Sequence, residues 1–240
     1  CIRDSSGCNP SSLTISTGAD SNARWNATAG TFDAITKNAA MVLNNETLRA
    51  RLQTGTSGTN VTINPSDWVN TTGAVTASAN ACGNLTINSG ANVGLSAAIN
   101  LASCTNTGSA IKVTALGYIY QNAAFTTNVG AVTYLSNSDN GSGASAGPIY
   151  ITAASTINTN GGAVILAGGS TTATTGYARG YATPFSGGTA LLDGSPVIDN
   201  AGIYLAGEIN SGSGAITLNG QIGSGTCLLY TSPSPRDAHE

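Results

Sequence analysis

Residues 149–168 read IYITAASTINTNGGAVILAG, and residues 203–220 read IYLAGEINSGSGAITLNG. With a two-residue gap they align as I-Y-[I/L], then I-N-[T/S], then G-A-[V/I]-x-L-x-G. Each unit alternates apolar and polar residues over short stretches cut by Gly and Asn. Such a unit buries a side chain only at every second position, so one copy has no core of its own. It becomes stable when another copy stacks on it. The repeat therefore predicts a β-solenoid.

The same alternation runs outward from the repeat. Apolar-x-apolar triplets begin at Val61, Leu85, Ile111, Ile149, Val164, Ile203 and Ile216, with a less regular member over 132–135. Weaker strands are expected near Val75, 93–95, Ile119, Ile157 and Ile209. Spacings of 24 and 26 residues fit one turn of a parallel β-helix, and shorter spacings mark different faces of that turn. Asn64, Asn88 and Asn219 each follow a triplet. Asn tolerates left-handed backbone and suits a corner, and stacked Asn side chains can form a ladder. The Gly-rich joins, such as TNGGA and NSGSGA, are longer than the two-residue loops of hairpins. This favours parallel stacking over an antiparallel sandwich. Six or seven coils would make a rod about 30 Å long.

Composition agrees. The 240 residues include 31 Gly and only 8% charged residues, against roughly 25% in an average globular protein. Asn, Ser and Gly favour turns, Thr and Val favour strands, and the 40% hydrophobic content in alternation argues for a folded core. The net charge is −3 and the 8 Lys and Arg are scattered, which argues against a nucleic-acid groove. No apolar run approaches the ~20 residues of a membrane-spanning helix.

Residues 1–55 read as an irregular capping segment, with one short strand over 13–16 and Trp25 and Phe32 as its anchors. Residues 45–52 (NETLRARL) predict a short helix. Asn45 is its N-cap, Leu48 and Leu52 share its buried face, and Gly55 follows as a stop. Residues 56–226 hold the repeats, interrupted by a long insertion over 170–200. The tail 227–237, CLLYTSPSPRD, resembles the translation of a transposase-type sequencing adapter. Residues 227–240 are therefore set aside as an artefact of sequencing, with Cys227 and the single histidine, His239. Both ends of the chain are expected to fall inside a longer gene.

Cys82 and Cys104 are 22 residues apart, about one coil, so stacking predicts a disulfide between them. Cys1 and Cys8 could close a small local loop. A zinc site is not expected, since no C-x-x-C pair or usable histidine exists. His-based triads are excluded for the same reason. The carboxylates are spread thinly. Convergence of Asp193, Asp199 and Glu208 with Arg179 is the one arrangement that would support catalysis. Asp139-Asn140-Gly141-Ser142 resembles the start of a calcium loop but lacks the distal Glu. No metal or cofactor is expected. Six N-x-[S/T] sequons, including those at Asn60 and Asn84, are explained by composition.

The segment 170–200, STTATTGYARGYATPFSGGTALLDGSPVIDN, breaks the period. A loop of this length inside a repeat array is uncommon and often functional. Its Tyr177, Arg179, Tyr181 and Phe185 suit a binding surface. Alternatively, Leu191, Leu192, Val197 and Ile198 fold it against the flank of the stack.

The run 48–64, LRARLQTGTSGTNVTIN, resembles the start of filamentous haemagglutinin-like passengers, where a short helix leads into a Gly-Thr-Asn-Val-Thr strand. GGAVILAGG (161–169), SGSGAITLNG (211–220) and the Gly-Tyr-Ala at 176–178 are similar to that family's coils and bulging loop. The resemblance covers roughly residues 43–226, and the cysteines depart from it. It implies a right-handed parallel β-helix exported across the outer membrane, by a partner transporter or as an autotransporter passenger. It further implies an extracellular or cell-surface location and a non-catalytic adhesin role in attachment, aggregation or biofilm. The partner would be a surface glycan or a host or neighbouring cell surface. Two alternatives stand beside it. One is a β-helix carbohydrate-active enzyme, which needs clustered carboxylates. The other is an ice- or surface-binding solenoid, which needs aligned Thr-x-Thr ranks that the sequence does not place in regular register.

Overall fold

A computed structural model describes residues 52–53, 58–65, 69–71, 74–139, 147–169, 176–180 and 201–221, with the backbone alone of four strands nearer the N-terminus. The chain is all-β and is built on three parallel sheets. Sheet I contains β1 (Ser12–Ser16), β5 (Asn60–Asn64), β8 (Leu85–Ser89), β11 (Ile111–Ala115), β14 (Val132–Ser136), β17 (Val164–Gly168) and β21 (Ile216–Leu218). Sheet II contains β4 (Met41–Leu43), β6 (Val69–Thr71), β9 (Val93–Leu95), β12 (Ile119–Gln121), β15 (Ile149–Ile151) and β19 (Ile203–Leu205). Sheet III contains β7 (Val75–Thr76), β10 (Ile99–Asn100), β13 (Phe125–Thr126), β16 (Thr156–Asn158) and β20 (Glu208–Asn210). From β5 onward the chain visits sheets I, II and III in turn, so one circuit is one coil of the expected β-solenoid.

Two small pairs complete the strands: the parallel β18 (Ala178–Arg179) with β22 (Gly220–Gln221), and the antiparallel β2 (Asn22–Asn26) with β3 (Thr31–Ile35). The opening repeats are indeed equivalent. Ile149, Tyr150 and Ile151 pair in register with Ile203, Tyr204 and Leu205, and Val164 with Ile216.

Alternation explains the core. In sheet I, Val61, Leu85, Ile111, Val132 and Val164 form one inward rank, and Ile63, Ile87, Val113, Tyr134 and Leu166 the next. Val93, Ile119 and Ile149 line sheet II, and Val75, Ile99, Phe125 and Ile157 line sheet III. All are buried in one continuous cluster. Burying one such side chain stabilises the fold by about 1.5–3 kcal/mol. A polar pair sits among them: the fully buried Tyr134 donates its hydroxyl to Gln121 Oε1 at 2.7 Å. The Tyr134 ring meets Phe125 edge-on, with centroids 6.3 Å apart.

The corners are held by side-chain amides and by glycine. Asn88 Nδ2 donates to Asn64 Oδ1 at 2.9 Å, which makes one rung of the expected ladder; the next residue of the rank is Thr114. The left-handed backbone does not fall on those residues, because Asn64 and Asn88 remain extended at the strand ends. Among the described non-glycine residues it falls on Val129 (φ 63°), Asn137 (φ 50°) and Asn160 (φ 51°). At the corner between sheets III and I, Asn106, Asn128 and Asn160 donate Nδ2 to carbonyls of the preceding coil, those of Cys82, Cys104 and Thr127. Gly130 is required there: a Cβ on it would lie 1.9 Å from Ser109 O.

The N-terminal part differs from expectation. Residues 1–55 are not uniformly irregular, since β1 and β4 extend sheets I and II by parallel pairing. Trp25 and Phe32 are backbone partners across the β2–β3 pair, and their side chains lie outside what the structure describes. Of the expected helix over 45–52, only Leu52 is among the described residues. It is helical and buried, and its carbonyl accepts Thr59 N at 3.1 Å and Gly83 N at 2.8 Å.

Candidate functional site

The coil lengthens at one corner. Between sheets I and II the chain crosses by 90–92 in one coil and by 116–118 in the next. The following two coils cross by 137–148 and by 169–202. Both long departures from the repeat thus leave the stack at the same corner of consecutive coils.

The structure divides the insertion expected over 170–200. Gly168 N donates to Gly176 O at 3.3 Å, so the excursion between them is pinched shut at its base. A Cβ on Gly176 would lie 1.5 Å from Gly168 O, which is why glycine stands there. The chain then rejoins the stack as β18. Ala178 is buried in the core, and Arg179 N donates to Gly147 O at 3.3 Å. The segment 176–180 is therefore part of the fold.

Two of the four candidate binding residues are among the described residues. Tyr177 is 51% exposed. Arg179 is half-buried, and its Nη2 donates to Gln221 Oε1 at 2.8 Å across the β18–β22 pair. That bond holds the guanidinium against the end of the last coil. Tyr181 and Phe185 lie outside the described residues, as do Asp193, Asp199, Cys1 and Cys8. Glu208 opens β20 on sheet III, a different face from Arg179. Among the described residues no group of three His, Cys, Asp or Glu could hold a metal ion.

Beside this corner, sheet II carries an aromatic file on its outer face. Tyr120, Tyr150 and Tyr204 pair in register. The Tyr150 and Tyr204 rings are 5.0 Å apart and tilted by 35°. Tyr118, Tyr120 and Tyr150 are buried, while Tyr204 is half-buried. The signal for this file was the Ile-Tyr pair at 119, 149 and 203. It was obscured because the spacings are unequal.

A second rank stands on the outer face of sheet I. Thr62, Thr86, Lys112, Thr133, Ile165 and Thr217 are consecutive partners in register. Backbone pairing places Thr14 next to Thr62 in the same rank. Five threonines thus share a single file, interrupted by Lys112 and Ile165. Sequence alone does not show this register, since insertions in the corners move the threonines out of step along the chain.

Cys82 and Cys104 are joined by a disulfide, with Cα atoms 5.6 Å apart. Both are buried. No helix among the described residues is long and apolar enough to cross a membrane. No protein-family model matches the chain, and comparisons with curated proteins and with solved structures give no match.

Proposed function

We propose that this chain is a non-catalytic, exported β-solenoid that attaches to surfaces through the corner between sheets I and II. The observation that carries this reading is the placement of both long departures at that corner, beside the exposed Tyr177 and the Arg179 guanidinium. Aromatic and Arg side chains are the residue types that dominate binding energy at interfaces. The partner would be a surface glycan or a neighbouring cell surface. The disulfide supports an oxidising, extracellular setting, since such bridges are rare in reducing compartments. Export by an outer-membrane transporter, with display as an adhesin, follows from the likeness to filamentous haemagglutinin-like passengers.

The test replaces 181–200 by a short Gly/Ser linker. Deleting from Tyr177 would also remove β18 and the buried Ala178, and so would confuse folding with binding. The linker variant is expected to keep its circular dichroism spectrum and to lose most of its binding to cells or polysaccharide. Undiminished binding by that variant and by a Tyr177→Ala/Arg179→Ala double variant would sink the assignment.

The threonine file favours a second reading, attachment to an ordered surface through the outer face of sheet I. Aligned hydroxyl and methyl groups at the strand spacing of about 4.8 Å would present a repeating flat template. Thr86→Tyr and Thr133→Tyr would disturb that face without touching the corner. Loss of binding in these variants alone would move the function from the corner to the sheet.

A further inference from the structure

The two ends of the stack are built differently. At the first complete coil the inward side chains are covered: Val61, Val69 and Val75, on β5, β6 and β7, are buried. There β1 and β4 add strands beyond β5 and β6 in sheets I and II. The buried Leu52 and the Gln53 amide close the corner after sheet III. Gln53 Nε2 donates to Ser78 O at 2.8 Å, and Ser78 N donates to Gln53 Oε1 at 3.1 Å. At the other end the same inward ranks run out uncovered. Leu205 is 41%, Ile216 48% and Leu218 47% exposed, although their register partners Ile151, Val164 and Leu166 are fully buried. Among the described strands, β19, β20 and β21 are the terminal members of sheets II, III and I. Each therefore presents a row of backbone N–H and C=O groups with no strand beside it. Edge strands that stay single are commonly blunted by Lys, Pro or a bulge. Residues 201–221 contain no Lys, Arg or Pro, and one acidic residue, Glu208. The molecule itself shows what covers such a face. The coil of β15, β16 and β17 carries the same ranks, and a coil of nearly the same sequence, β19, β20 and β21, sits on it in register. Apolar ranks flanked by open backbone groups are met in full only by another coil of this type.

We propose that two copies of the chain associate through this face, open end to open end. The covered end offers no equivalent among the described residues, so each copy contributes the same surface and the assembly closes at a dimer. A two-fold axis across the stack reverses the strand direction. β21 then pairs antiparallel with the β21 of the second copy, and Ile216 and Leu218 enter a core continued across the axis. The association goes beyond the attachment reading and does not depend on it.

The test is sedimentation velocity on the full chain at concentrations from about 1 to about 100 μM, a range that reveals micromolar dissociation constants. A monomer–dimer equilibrium without larger species is expected. Ile216→Lys/Leu218→Lys puts charge on the open face and is expected to weaken dimerisation at least tenfold, with an unchanged circular dichroism spectrum. Leu205→Lys makes the same test from sheet II, should the double variant fail to fold. Thr86→Lys, on the outer face of sheet I and away from the open end, is the control and is expected to dimerise like the unaltered chain. A monomer throughout would overturn the proposal and leave the face to a coil from another source. Equal dimerisation by the open-face Lys variants would overturn it by placing the interface on another surface. Species that keep growing with concentration would replace the closed dimer by head-to-tail stacking, and so overturn it as well.

Discussion

Cys82 and Cys104 face each other from consecutive coils, 22 residues apart in sequence and 5.6 Å apart at Cα. The bridge therefore spans one circuit of the stack. The corner around it is fully bonded: Cys82 N donates to Asn106 Oδ1 at 2.7 Å, and Ser109 Oγ donates to Cys82 O at 2.7 Å. Closing a loop of this size removes freedom mainly from the unfolded chain, for about 3 kcal/mol. The Cys82→Ala/Cys104→Ala double variant is expected to lose that amount in urea unfolding. Reductant should lower the midpoint of the unaltered chain and leave that of the variant unmoved.

The register gives a sharp contrast between neighbours. Ile87 and Phe125 are fully buried on inward ranks, whereas Thr86 points outward and is half-buried. Phe125→Ala is expected to cost about 3–5 kcal/mol and Ile87→Ala about 2–5 kcal/mol. Thr86→Ala should stay within about 0.5 kcal/mol. A large loss at Thr86 with little at Ile87 would mean that the strand is turned over.

Glycine matters by contact at one corner position and by conformation at another. Gly130 is closed in by the Ser109 carbonyl, whose oxygen would stand 1.9 Å from an added Cβ, so Gly130→Ala must push two coils apart. Gly108, at φ 89°, has open space around it. Its replacement by Ala carries backbone strain alone, of order 1–3 kcal/mol. Thermal unfolding is expected to rank Gly130→Ala well below Gly108→Ala.

Tyr134 makes stability depend on alkaline pH. Burial holds its phenol well above the ordinary value of about 10. The folded state therefore keeps a proton that the unfolded chain releases. This contribution is whole below pH ~10 and declines as pH rises above it, through the window up to the raised folded value. Tyr134→Phe should flatten that part of the stability profile. It should also cost about 1–3 kcal/mol at neutral pH, because the buried Gln121 Oε1 loses the Tyr134 hydroxyl. An equal alkaline slope in both proteins would contradict this.

Much of the fold was legible because burial in a strand has period two, and triplets such as those at Leu85 and Ile111 display it directly. The Cys82–Cys104 spacing was legible for the same reason, since one coil returns the chain to the same corner. The N-terminal strands were harder to read. β1 and β4 gain their partners only from β5 and β6, far along the chain, while β2 and β3 pair with each other. The left-handed corners were misplaced onto Asn64 and Asn88 because sequence shows Asn but not which Asn ends a strand. The site was only half legible. Tyr177 and Arg179 stood out by composition, but the buried Ala178 between them, which ties β18 to the core, carries no signal in the sequence. The tyrosine and threonine files were hidden by the unequal corner lengths, which only three-dimensional stacking cancels.

The attachment reading is tested most directly by a binding isotherm on an immobilised surface polysaccharide. The unaltered chain is compared with Tyr177→Ala/Arg179→Ala, with Thr86→Ala as the control on the outer face of sheet I. The expected result is saturable binding that falls at least tenfold in the double variant and is unchanged in the control. Equal binding by all three proteins, or none by the unaltered chain on any cell-surface glycan offered, would contradict the account.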